Sequence, residues 1–541
     1  MKLNSIKTLI PAVALALSMG FVSCTKDLDV DNINPQQTSK LDTDALLNKI
    51  YSSFVLTGQK GPGDNDAAWK DIQDLDEGRS EFFRMSWELN EFTSDEASWV
   101  WWSDGGLRDL VTNTYAEGNE RCTGFYYRAY FTVTLCNFYL DQVADDGTTD
   151  VKQKRAEVRF IRALVYWYIM DLFGNAAFIE HVSAIPGVRY TRQQYFDYIE
   201  KELTEIEADM GDPGTLTYGR VDKVANWLLK ARLYLNAEVY TGTARWADAK
   251  TYAEKAINNG YYHLHTTGKN GFSAYQMLFL ADNDENGAQY EAVFPILHDG
   301  INTTSHGAMN MLVLSSYSGA MSNDIPSGTD NGWGRCNRVK GTLTDRFFGS
   351  TEVPQTGNLA QIIKLAGDDR ALIYPNAPYS RYITSLDDQE VGYGCVKFRN
   401  VRSDGAAAKA QAKVDTDLPL MRLAEAYLTY AEAETRLNGN TTDAANKINE
   451  IRNRANASTK TSYTLDDIFN EWSKEFWFEG RRRVDMVRFG RFGGQSSYKW
   501  EWMNNTFEGS QFPAYRNIFP IPVNDLENNP NLWQNDGYRN N

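Results

Sequence analysis

From Ser98 to Gly106 the chain reads SWVWWSDGG, with three tryptophans at positions 99, 101 and 102 and an aspartate and a glycine pair behind them. The chemistry such a stretch suits is sugar recognition. A sugar ring has apolar C–H faces and a rim of hydroxyls, so it stacks on flat aromatic surface and needs polar side chains beside it. Trp99 and Trp101 alternate with Ser98 and Val100, so in an extended segment both indoles face the same way. Trp102 points opposite and is expected to anchor the loop in the core. The competing reading makes all three buried staples of the loop.

Residues for bond-breaking chemistry are harder to find. The chain has only five histidines, and no GxSxG elbow, HExxH helix or phosphate-binding P-loop. Asp74, Asp76 and Glu77 resemble the start of a glycosidase site, which needs two carboxylates about 5 to 9.5 Å apart across a cleft. With 71 acidic residues in the chain, such a cluster discriminates little. The expectation is therefore binding without turnover. Its rivals are an endo-acting glycosidase and a purely structural helical-repeat lipoprotein.

One stretch invites a metal. DNDENG, from Asp282 to Gly287, places Asp282, Asp284 and Asn286 at alternate positions before a glycine, as in the first half of a calcium loop. Position twelve is Val293 where such a loop needs a bidentate Glu, so a helix-loop-helix hand is excluded. A ligand set completed from elsewhere and a simple polar turn both stay open. Beyond Cys24 the cysteines are Cys122, Cys136, Cys336 and Cys395, with no CxxC spacing, which argues against zinc. Spacing does not decide whether Cys122 and Cys136 pair.

Composition agrees with a neutral ligand. The formal charge of −16 would repel phosphate backbones, which argues against nucleic acid and anionic membrane as partners. With 541 residues, 42% of them hydrophobic, the chain buries a large core and is long enough for more than one structural unit. Its start is an address. Lys2 and Lys7 form a positive region, Leu9 to Phe21 an apolar stretch too short to span a bilayer, and FVSC ends at Cys24. This is the pattern of a bacterial lipoprotein signal over residues 1–23. Cys24 becomes the acylated N-terminus, followed by an acidic tether over residues 24–41.

The elements that must position the aromatics are mainly α-helical and come in pairs. Val224 to Tyr240 carries Leu228, Ala231, Tyr234 and Leu235 at helical spacing, and Trp246 to Asn259 places Ala249, Tyr252, Ala253 and Ala256 on one face. Small residues where two helices meet are the layout of a tetratricopeptide repeat. The pattern returns at Leu420 to Leu437 with Asn446 to Ala455, and in a longer pair, Ala156 to Phe173 with Gln193 to Met210. Generic antiparallel helices explain the periodicity almost as well. Two loop regions, about 57–109 and 260–416, interrupt the helical body and are rich in Gly, Asn, Asp, Ser and aromatics. Loops that long inside a folded domain are usually functional.

Five blocks then coincide in order. They are AEVRFIRALVYWYIMDLFG from Ala156, DLPLMRLAEAYLTYAEAETRLNG from Asp417, INEIRNRA from Ile448, EFWFEGRRRVDMVRFG from Glu475 and FPIPVNDLENNPNLWQNDGY from Phe519. Together, behind a lipobox, they resemble the SusD/RagB family, the surface glycan-binding lipoproteins of Bacteroidetes. GQKG at Gly58, ADNDEN at Ala281, NGW at Asn331 and AGDDRAL at Ala366 are similar to the starch-binding members in particular. The blocks themselves read as architecture. Arg481, Arg482, Arg483 and Arg488 lie at helical spacing with Glu475, Glu479 and Asp485, as Arg159 and Arg162 lie beside Glu157, and salt bridging within the helix accounts for both sets.

The resemblance implies one α-helical domain over residues 42–541 that binds starch or another α(1,4)-glucan without cleaving it. It implies an arc of aromatics containing Trp99, Trp101 and Trp333, with Asp76 and Arg84 bonding sugar hydroxyls. Asp104 falls where such relatives offer an amide, and His306 where they offer a tyrosine platform, which leaves dextran, pullulan or levan as alternative ligands. It further implies a structural calcium near Asp282 and Asp284, no required cofactor, an outer-membrane location, and a TonB-dependent SusC-like transporter as partner. The helical face is the natural surface to meet that partner.

Overall fold

The computed structural model describes residues 41–58, 70–73, 75–330 and 332–539. The lipobox with Cys24, the tether up to residue 40, the rest of GQKG after Gly58, Asp74 and Asn331 lie outside them. Residues 41–46 fall outside the compact body described below, which begins at Leu47.

The body is built from helix pairs, as the periodicity predicts. α1 (Glu120–Gln142) packs on α2 (Thr149–Phe173), α2 on α3 (Arg192–Ile206), α4 (Lys223–Leu235) on α5 (Trp246–Ile257), and α6 (Ala424–Asn438) on α7 (Thr442–Arg454). α5 lies between α4 and α6, so the small buried Ala249, Ala253 and Ala256 let two neighbours approach at once. That contact joins segments on either side of the second loop region and makes the repeats one stack despite the insertion between them. Local signals set the ends. Thr191 and Gln194 form a capping box at the start of α3, and Gly174 stops α2 with φ +70°.

Several boundaries differ from the periodicity. Leu418–Arg422 is a strand, paired antiparallel with Ala292–Ile296, so α6 begins only at Ala424. Leu420 to Arg422 read as helix because their apolar residues fit its period, but pairing across the chain prevails. The predicted helix from Val224 breaks at Asn236, whose side-chain amide donates to the Arg232 carbonyl at 2.9 Å. The loop regions also hold short helices, Phe82–Trp87, Ala308–Ser316 and Gly341–Phe348 among them.

The arginines of the fourth block are neutralised, though mostly not within their own helix. Arg481 pairs with Asp485 at 3.1 Å and Arg488 with Asp485 at 2.7 Å, but Arg482 reaches Asp95, Arg483 reaches Asp171 and Arg488 also binds Glu432. Likewise Arg159 and Arg162 pair with Glu202, while Glu157 pairs with Arg220. Sequence spacing sees only neighbours on one helix, whereas tertiary packing supplied closer carboxylates. Glu475 sits among Arg370, Arg422 and Arg454 in the interior, and its carboxyl is held down to about 2 by those guanidiniums although burial works against it. All four described cysteines are buried and free; Cys122 and Cys136 lie on α1, about 21 Å apart along its axis, which rules out a bond between them.

Candidate functional site

Strand Ala97–Trp99 of the first loop region pairs antiparallel with Asn337–Val339 of the second, with Trp99 opposite Asn337. This short ladder brings the tryptophan stretch beside Trp333. Arg338 reinforces it from beneath: fully buried, it donates to the Trp99 carbonyl at 2.9 Å and to the Leu386 carbonyl at 3.2 Å.

The three tryptophans divide differently from the alternation rule. Trp99 is 1% exposed and Trp101 40% exposed. The strand ends at Trp99 and the chain turns at once, the Asp104 N–H donating to the Trp101 carbonyl at 3.1 Å, so the two indoles do not share a face. Trp99 stands edge-on to Trp101, with centroids 6.2 Å apart at 84°, and anchors the loop in the place expected of Trp102. Trp102 is instead half-buried beneath Arg108, which lies 5.2 Å from its ring centre and pairs with Asp387. Asp104 accepts the indole N–H of Trp99 at 3.2 Å and so braces the turn that presents Trp101.

The other expected residues gather at the same place. A Cβ at Gly334 would lie 3.8 Å from Trp101 Cζ2, so the residue after Trp333 packs against the Trp101 indole. His306 stands 6.1 Å from Trp333, tilted 66°, and Arg84 lies 5.7 Å from the Trp333 ring centre. Arg84 donates from Nε to Glu88 at 2.9 Å and from Nη1 to the His306 carbonyl at 3.1 Å, so two of its five donors hold the site together. Asp76 is exposed, and its Oδ1 accepts from Gly78 N at 3.0 Å; a Cβ at Gly78 would meet both Arg84 and Asp76. Asp76, Arg84, Trp101, Asp104, His306 and Trp333 therefore border one surface, with Trp99 behind it. It offers two half-open indoles, an imidazole and a guanidinium edge beside a carboxylate.

A residue that sequence reasoning passed over locks the two loop regions together. Glu81, fully buried, caps the helix Phe82–Trp87 through Phe83 N and Arg84 N, and also accepts from Ala308 N at 3.0 Å across the site. Gly307 is required there, since a Cβ would sit 2.2 Å from the Glu81 side chain. Burial pushes the Glu81 carboxyl up to about 7, against the pull of three backbone N–H groups and Arg128. Its position ahead of an apolar run marks a helix cap in sequence; the bond to Ala308, 227 residues on, leaves no such mark.

The calcium expectation meets a different geometry. Asp282 is buried and accepts from Ser403 N at 2.9 Å, Ser403 Oγ at 2.6 Å and Asn286 Nδ2 at 3.3 Å, so its carboxylate is already saturated. Asp284 is exposed, and among the described residues no three metal-ligating side chains converge. The DNDENG turn thus staples Ser403 to the body through Asp282.

Comparison with known proteins adds a second line. The family profile described as the SusD family matches residues 339–538, and one described as starch-binding associating with outer membrane matches residues 26–254. The starch-binding protein SusD of Bacteroides thetaiotaomicron is 39% identical and aligned over 100% of both chains. SusD-like protein P25 of Formosa agariphila is 24% identical over 76% of this chain and 78% of its own. In three dimensions, a SusD-like carbohydrate binding protein of Bacteroides fragilis superposes with TM-score 0.68 at 16% identity, covering 91% of this chain and 98% of its own. That superposition speaks for the fold.

Proposed function

The chain belongs to the SusD family, and on that premise we propose that it binds starch and α(1,4)-glucan oligosaccharides at the cell surface and delivers them to a TonB-dependent, SusC-like transporter. It is a binding protein and not an enzyme. The observation that carries the reading is that exposed Trp101 of one loop region lies against the NGWG turn of the other, whose Trp333 stands beside His306, in a chain similar throughout to a starch-binding protein. Glucan capture at such a surface works by stacking and shape, each contact weak and the sum useful on a long polymer. The arc of aromatics that the family resemblance implies suits the natural helix of an α(1,4)-glucan better than a flat chain. Asp76 and Arg84 bond hydroxyls at its edge, and no cofactor is needed.

The proposal extends to the address. The lipobox anchors the mature chain to the outer membrane by Cys24. Among the described residues no helix is long and apolar enough to cross a membrane.

Isothermal titration with maltoheptaose, α-cyclodextrin, isomalto-oligosaccharides and levan oligosaccharides tests the reading. Maltoheptaose and cyclodextrin are expected to bind, and Trp101→Ala and Trp333→Ala each to abolish it. Binding confined to isomalto- or levan oligosaccharides would move the same uptake role to dextran or levan, and pullulan oligosaccharides would separate that alternative from starch. Survival of α(1,4)-glucan binding in both variants would remove the aromatic surface from the mechanism.

A further inference from the structure

Directly after α5 the chain reads Tyr261, Tyr262, His263, a stretch that the proposed site does not use. Tyr261 is 41% exposed and Tyr290 36% exposed, and both line a cavity of about 200 Å³ together with Tyr218, Tyr262, Asp284 and Gln289. None of these residues belongs to the Trp101–Trp333 surface.

The cavity is built and not an accident of side chains lying on a surface. Asn259 Oδ1 accepts from the N–H groups of both Tyr261 and Tyr262, at 2.8 and 2.6 Å, which fixes the backbone under the two rings. Tyr262 donates its hydroxyl to buried Asp222 at 2.9 Å. Tyr261 lies so close over Gly214 that a Cβ there would sit 2.4 Å from its ring. Tyr290 is held from two sides: His263 stacks on it, centroids 5.4 Å apart at 18°, and its carbonyl accepts the His263 N–H at 2.9 Å. Tyr261 meets Tyr290 at 5.5 Å and 69°. Two half-exposed rings are thus fixed in place around a space that Asp284 and the Gln289 amide border.

The chemistry of that lining selects its occupant. Phenol rings offer flat apolar faces, while a carboxylate and an amide at the rim accept and donate to hydroxyls. The Arg220 charge in the wall is committed to Glu157, at 2.6 Å, so an anionic ligand would find Asp284 and no available cation. A lipid tail would leave the rim polar groups without partners. We propose that this cavity is a second carbohydrate-binding site, taking a single neutral hexose unit of an oligosaccharide. It adjoins a larger cavity of about 370 Å³ through Thr217–Arg220 and Pro295, and that cavity reaches Thr303, close in sequence to His306. One long glycan engaging both sites gains in avidity over either alone.

The inference shares its ligand class with the function proposed above, so the test separates the two. Detergent-solubilised full chain is titrated with maltoheptaose, isomalto-oligosaccharides and levan oligosaccharides. The variants are Trp101→Ala/Trp333→Ala, the same background with Tyr261→Ala or Tyr290→Ala, and the same background with Gln289→Glu, which keeps the oxygen that accepts from Gly287 N and removes the rim amide's donor. Weak binding of at least one sugar is expected to remain in the double tryptophan variant and to fall about tenfold or more with each further change. The single substitution Tyr261→Ala in the otherwise unchanged chain is expected to weaken retention by immobilised amylopectin more than it weakens maltoheptaose affinity. If no sugar binds the double tryptophan variant, or if residual binding ignores Tyr261, Tyr290 and Gln289 alike, the second site is overturned. Binding that depends on the tyrosines and never on the tryptophans would instead retain the second site and sink the first.

Discussion

Trp99 and Trp101 sit two positions apart and do opposite work. Trp99 packs edge-on against Phe92 and Trp101, and its N–H is taken by Asp104, whereas Trp101 keeps two fifths of its surface in solvent. Their substitutions should therefore separate cleanly. Trp99→Ala opens a cavity in the interior and is expected to cost about 3–5 kcal/mol of stability, read by chemical denaturation. Trp101→Ala removes exposed surface and should change stability by less than about 0.5 kcal/mol while abolishing glucan binding. Equal destabilisation by the two would mean that Trp101 is a second staple. That this stretch would hold both an exposed ring and a loop anchor was legible, because flat exposed surface and a buried staple draw on the same amino acid. Which tryptophan plays which part was not, since alternation holds only while the strand lasts and the strand ends at Trp99.

At the scale of elements, the helix pairs announced themselves through alanines such as Ala249, Ala253 and Ala256, since only small residues let helices approach on both sides. The strand Leu418–Arg422 was hidden, because its partner lies at Ala292–Ile296 and nothing local marks the pairing. Partners of buried charges were hidden for the same reason: Arg483 finds Asp171 only in the folded stack. Glu81 makes this concrete, as a cap for one helix and a clamp on the start of another. Its folded-state carboxyl lies at about 7, above its ordinary range, so the folded protein holds this proton where the unfolded chain has lost it. The resulting stability is complete below about pH 4.5 and is lost as pH rises through about 7, an effect on the order of 3 kcal/mol. Glu81→Gln should flatten that part of the stability-against-pH curve. Curves of identical slope for variant and parent between pH 5 and 8 would show that Glu81 does not titrate there.

At the scale of the whole molecule, a chain of net charge −16 must take up its ligand without electrostatic steering if that ligand is neutral. The charges nearest the site support this. Arg84 is paired with Glu88 and the His306 carbonyl, and Arg108 with Asp387, so the cations around Trp101 and Trp333 are already engaged within the protein. Stacking and hydroxyl contacts are short-ranged, and salt screens only what acts over a Debye length, about 10 Å at 0.1 M. Maltoheptaose affinity should then change by less than roughly twofold between 50 and 500 mM NaCl, by titration at constant pH. A charged polysaccharide would behave otherwise: an anionic glycan would bind better as salt rises, because screening lifts the repulsion of the whole acidic surface. A steep salt dependence in either direction would place net charge in the recognition step, and would move the ligand away from neutral α-glucans altogether.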